Sequence, residues 1–85
     1  MAVDVLKWEV AYCRTQMVVE VMAECNSEGL LLKLSDSAQN VLLEWRCRSA
    51  EIARKIHLAG LTPDYYSLSL WKDNQELKRT FLNLN

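Results

Sequence analysis

The sequence predicts an all-α fold: a small three-helix bundle with helices over residues 3–25, 36–59 and 63–82, and a short apolar connector at 30–34. Three observations lead there. The 85 residues include two glycines and one proline, where average usage gives roughly ten of the two together. Each β connection usually draws on Gly, Pro, Asn or Asp, so this scarcity favours few connections and long elements. Residues 35–60 carry a start signal, a stop signal and an apolar stripe in which Ala38, Leu42, Trp45, Ser49, Ile52, Ile56 and Ala59 recur three and four apart, the spacing of one helix side. Finally, no Gly or Pro interrupts residues 4–25.

The first expected helix holds Val3, Leu6, Val10, Cys13, Met17, Val21 and Glu24 on one stripe, and Val5, Trp8, Tyr12, Val19 and Met22 on a second. An apolar face that wide exceeds what one neighbouring helix covers, so this element is the first place to look for a homo-oligomer or a partner. Asn26, Ser27, Glu28 and Gly29 end it, with Gly29 suited to a left-handed cap. Leu30, Leu31, Leu32 and Leu34 are too apolar for an exposed link and read as a short helical turn or a strand.

The central helix has Ser35 or Ser37 as its cap and Asp36 in its first turn. Arg54, Lys55 and His57 crowd its last turn, and Gly60 is its stop. Leu61, Thr62, Pro63 and Asp64 then supply a staple, a cap, a first helical residue and a first-turn acid. Tyr66, Leu70, Leu77, Phe81 and Leu84 trace the inner side of the third helix, with Asp73 or Asn74 a polar gap at which it bends. Trp45 falls on an inner stripe, leaving Trp8 and Trp71 as candidate interface anchors.

A second pattern competes with this one. Leu43, Trp45 and Cys47 alternate with Glu44, Arg46 and Arg48, and Tyr66, Leu68 and Leu70 alternate with Ser67 and Ser69, as in half-buried strands. Residues 17–85 then read as strand (MVVEVMAE), turn (CNSEG), strand (LLLKLS), helix and strand (YYSLSLW). That order, with DYYSLSL at 64–70, resembles the ubiquitin-like, β-grasp lobes of Ras-association and FERM modules; residues 1–16 lie outside it. The resemblance implies a module that binds a small GTPase or a peptide tail.

The chemistry-bearing residues point away from catalysis. His57 is the single histidine and sits beside Lys55, where it suits a helix end facing solvent. Cys13, Cys25 and Cys47 form no CxxC and no Cys/His cluster, so no metal site, cofactor site or disulfide framework is expected, and a reducing intracellular compartment fits. The opening residues lack a basic-then-apolar leader, and no run approaches the eighteen or so apolar residues of a membrane span. Residues 1–44 hold three basic and seven acidic side chains and residues 45–85 seven and four, which favours an acidic protein partner over nucleic acid.

Residues 50–69 have some character of a helix-turn-helix, but the second helix would open with Pro63, Asp64, Tyr65 and Tyr66 in place of the basic residues that read DNA. The function expected is therefore a non-catalytic protein-protein interaction or oligomerisation domain, an adaptor or structural subunit. Met17, Val18, Val21 and Met22 form its expected contact surface, with Trp8 and the basic Arg46, Arg48 and Arg54 setting orientation.

Overall fold

Side chains that alternate in burial, most regularly along β2 and β3, set the architecture. The structure, a computed structural model, describes residues 2–85. The chain forms seven strands: β1 (Val5–Cys13), β2 (Val18–Cys25), β3 (Leu30–Ser35), β4 (Val41–Cys47), β5 (Glu51–His57), β6 (Tyr65–Lys72) and β7 (Gln75–Asn83). They pair antiparallel in two sheets, a three-stranded one in the order β1-β2-β5 and a four-stranded one in the order β4-β3-β6-β7.

The fold is all-β, with no helix among the described residues. The expected helices at 3–25, 36–59 and 63–82 are each replaced by a pair of strands, and the connector at 30–34 is strand β3 at the centre of the larger sheet. The helical bundle is thereby overturned, and the helix-turn-helix with it. The β-rich alternative fits the fold class: its three strands correspond to β2, β3 and β6, while β4 and β5 occupy the stretch it gave to a helix.

The cause is visible in the core. Val19, Val21, Ala23 and Cys25 from β2 and Ile52 and Ile56 from β5 face Leu30, Leu32 and Leu34 from β3, Tyr66, Leu68 and Leu70 from β6, and Leu82 from β7. Each set steps by two along its strand, apart from the four-residue step in β5. The β-branched residues among them fit a pleated surface better than a helix. Ridges three or four apart could bury only part of these sets; period two buries nearly all of them. Trp8, Val10 and Tyr12 of β1 pack on the flank of the core, and the Trp8 indole N–H donates to Thr80 Oγ1 at 2.8 Å, tying the first strand to the last.

The turns explain how a chain so poor in Gly and Pro makes six connections. Met17, Gln39, Asp73 and Asn74 adopt positive φ, at 53°, 68°, 51° and 63°. Asp73 and Asn74 form the two-residue hairpin between Lys72 and Gln75, the place where Asx residues tolerate the mirror-image turn. Asp36, expected to open a helix, instead accepts from the Ala38 and Asn40 backbone N–H groups at 3.0 and 2.8 Å and closes the β3–β4 loop. Those bonds, led by Asn40's, hold its carboxyl below the usual carboxylate range.

Pro63 likewise opens no helix. It lies in the β5–β6 crossing, where the Tyr66 hydroxyl donates to the Thr62 carbonyl at 2.6 Å. That bond closes the corner at which the chain crosses from the smaller sheet to the larger.

Candidate functional site

The two sheets are unequal, four strands against three, and the site follows from that mismatch. β4 ends the larger sheet, so one row of its backbone N–H and C=O groups has no strand beside it. Its even-numbered side chains Glu44 and Arg46 lie opposite Lys33 and Leu31 on the outer face. Leu43, Trp45 and Cys47 lie opposite the core residues Leu34, Leu32 and Leu30, and so face inward. There is too little of the smaller sheet to cover them.

Val41, Leu42 and Leu43 are 46%, 41% and 46% exposed, consecutively, on this edge. Trp45 is covered in part by Arg54, whose guanidinium carbon lies 5.6 Å from the ring centroid. Burial pushes the Cys47 thiol up from its ordinary value, and Arg54 opposes that shift.

The other three edges are guarded. β5 exposes Glu51, Arg54, Lys55 and His57, and β7 exposes Gln75, Glu76 and Lys78 together with a single large apolar residue, Phe81; charge along an edge discourages a further strand. β1 has a bulge between Val5 and Lys7 and is tied to β7 through Trp8. Its Leu6 is exposed, but alone. Only on β4 do three adjacent aliphatic residues stand beside an open backbone row.

Next to this edge, at the end of the larger sheet, lies a cleft of about 510 Å³ whose lining includes Leu31, Lys33, Arg46, Cys47, Arg48 and Trp71. The Lys33 ammonium sits 4.2 Å from the Trp71 ring centroid, and the Trp71 indole N–H donates to Ser69 Oγ at 2.8 Å. Ser67 and Ser69 face outward yet are buried, because Trp71 and Arg79 lean over them. Neither Arg46 nor Arg48 has an acidic group within ion-pair distance among the described residues, and with Lys33 they outnumber Asp73, the one acid of the lining, so the cleft is net positive.

The residues singled out from the sequence are divided by this structure. Val18 and Val21 are core side chains, 6% and 0% exposed, and Met17 packs against the core from its turn; a helical stripe had placed them together on one surface. Met22 is exposed on the outer face of β2, away from β4. Trp8 is half-buried and joins the two sheets. Arg46, Arg48 and Arg54 do gather around β4, the first two in the cleft and the third over Trp45. Val41, Leu42, Leu43 and Glu44 were missed as a surface, although the alternation of Leu43, Trp45 and Cys47 with charged residues carried the signal.

No family model, curated protein or solved structure matches the chain. Among the described residues no group of His, Cys, Asp and Glu side chains is placed to hold a metal ion. No helix is long and apolar enough to cross a membrane.

Proposed function

We propose that the chain is a non-catalytic interaction domain that joins another chain by adding a strand at β4. The observation that carries this is the open edge Val41–Cys47 with Val41, Leu42 and Leu43 exposed in succession. Backbone hydrogen bonds along such an edge supply affinity to any extended segment, and alternate side chains supply selectivity. Of the partners implied by the β-grasp resemblance, a peptide tail suits an open edge directly. The positive cleft formed by Lys33, Arg46 and Arg48 adds a preference for acidic residues at one end of that segment.

A display library of random nine-residue peptides, selected on the folded domain, tests this. Selected peptides should alternate apolar and polar residues, with acids at the end that meets Arg46 and Arg48. They should lose binding to a Val41→Lys, Leu43→Lys double variant, in which lysines guard the edge as charges guard β5. Equal binding to that variant defeats the proposal.

A further inference from the structure

The side-chain sequence of β4 is self-complementary in one register, and this identifies a specific occupant for the open edge. The inference rests on the strand-addition reading and narrows it. We infer that β4 pairs antiparallel with β4 of a second copy of this chain about a two-fold axis through Trp45, making one continuous sheet across both copies.

Directly opposed residues in an antiparallel pair lie on the same face. In a two-fold pairing of β4 with itself the axis therefore passes through a residue. An axis at Glu44 sets Glu44 against its own copy and Arg46 against Leu42. An axis at Arg46 sets Arg46 against its own copy. An axis at Leu43 places Glu44 against Leu42 and runs the pairing through the irregularity between Val41 and Leu43, where β4 departs from its register with β3. Like charges in direct opposition are destabilising, and so is a charge set against an aliphatic side chain on an otherwise unpaired edge.

An axis at Trp45 sets no like charges in direct opposition, and the charge it brings to Leu42, that of Arg48, lies beyond the end of β4. Glu44 then faces the second copy's Arg46, and Arg46 faces the second copy's Glu44. On the inner side Trp45 meets Trp45, with Leu43 opposite Cys47 on both flanks. Leu43, which is exposed, and Trp45, which is half-buried beneath Arg54 of the three-stranded sheet, gain cover from the same residues of the other molecule. Arg46, which has no acidic partner within the chain, acquires one. A closed two-fold contact of this kind uses one patch twice and leaves no second edge to propagate from.

Charge reversal tests both the occupant and the register. Glu44 and Arg46 are exposed, so Glu44→Arg and Arg46→Glu leave the core intact, which far-ultraviolet circular dichroism verifies. Sedimentation velocity over a concentration series should show wild type in monomer–dimer equilibrium. Each single reversal sets like charges opposite one another on both sides of the axis and should weaken dimerisation by about tenfold or more. An equimolar mixture of the two single variants restores opposite charges at both positions and should dimerise as wild type does, as should the Glu44→Arg, Arg46→Glu double variant alone.

The single reversals fix the register, because with the axis at Glu44 or Arg46 reversing the central residue only exchanges one like-charged pair for the other and would not weaken association. Wild type that stays monomeric at high concentration overturns the inference, as do single reversals without effect or a mixture that fails to recover. Monomeric wild type that still takes up library peptides at β4 would overturn the second copy as occupant while leaving strand addition standing.

Discussion

Removing the hydroxyl of Tyr66 isolates one interaction at the corner where the sequence suggested a helix start. In Tyr66→Phe the ring, 4% exposed, keeps its place among Leu68, Leu82 and Leu84 in the core, and the hydrogen bond to the Thr62 carbonyl is lost together with a longer one, 3.2 Å, shared with the exposed Thr62 hydroxyl. A net intramolecular hydrogen bond contributes about 0.5–1.5 kcal/mol, and an acceptor left buried costs more. Thr62 is exposed, so water can reach its carbonyl and the larger penalty does not apply. The bond is short and well formed, which places the loss near the upper end of the range, at about 1–1.5 kcal/mol. For a domain of this size 1 kcal/mol lowers the melting temperature by roughly 4–8 °C. Thermal unfolding followed by circular dichroism should therefore show a drop of about 4–12 °C. Tyr65→Phe is the internal control: Tyr65 is 53% exposed and should melt as wild type does. Equal melting temperatures for the two variants would refute the argument that the hydroxyl of Tyr66 pins the corner.

Val21→Asp should abolish folding rather than merely block a contact, because Val21 is fully buried opposite Val10 and Arg54 in the smaller sheet. An unpaired carboxylate there costs several kcal/mol, and the sheet signal in circular dichroism should be lost. Iodoacetamide, followed by mass spectrometry, should modify Cys13 first. It is exposed, and its bond with Thr15 holds its thiol below the ordinary range, whereas burial raises Cys25 and Cys47. Asp36 should contribute to the acid limb of stability. Its carboxyl is depressed in the folded chain, so its stabilisation is present above the unfolded value and is lost as pH falls through the folded one. Asp36→Asn should flatten the acid limb of a stability–pH curve and leave its alkaline side unchanged.

The misread fold traces to two physical ambiguities in the residues. Val18, Val19, Val21, Ala23 and Cys25 satisfy a helical stripe in part and a strand in full, and the absence of Gly and Pro from residues 4–25 favoured the helix. What settled the matter structurally was the readiness of Met17, Gln39, Asp73 and Asn74 to take the left-handed turns that glycine usually takes. The caps were ambiguous for a similar reason. Asp36 and Thr62 bear the right groups for a helix start, but an Asx side chain closes a loop with the same acceptor oxygens, as Asp36 does toward Ala38 and Asn40. The strands at LLLKLS and YYSLSLW were legible only in the competing reading, the latter through the alternation of Tyr66, Leu68 and Leu70 with Ser67 and Ser69. The basic residues Arg46, Arg48 and Arg54 were legible as a group by composition alone, since side chains two apart on a strand and side chains across a sheet margin stay close in either reading.

The apolar surplus that the helical reading assigned to a contact surface lies on a different element of the fold. The sequence carries more apolar surface than one small fold can enclose, and a helical reading assigns that surplus to its longest apolar stretch, residues 3–25. In the sandwich that stretch is divided into β1 and β2, whose inward residues Trp8, Val10, Val19 and Val21 lie under cover of the opposite sheet. The surplus moves to the place where four strands overhang three, at Leu43 and Trp45 on β4, with Val41 and Leu42 beside them. A third charged residue or a proline in β4 would have closed this edge at little cost to the core, as charge closes β5 and β7. On the strand-addition proposal this margin is where a second strand would pair, with its backbone row open and Val41, Leu42 and Leu43 exposed along it.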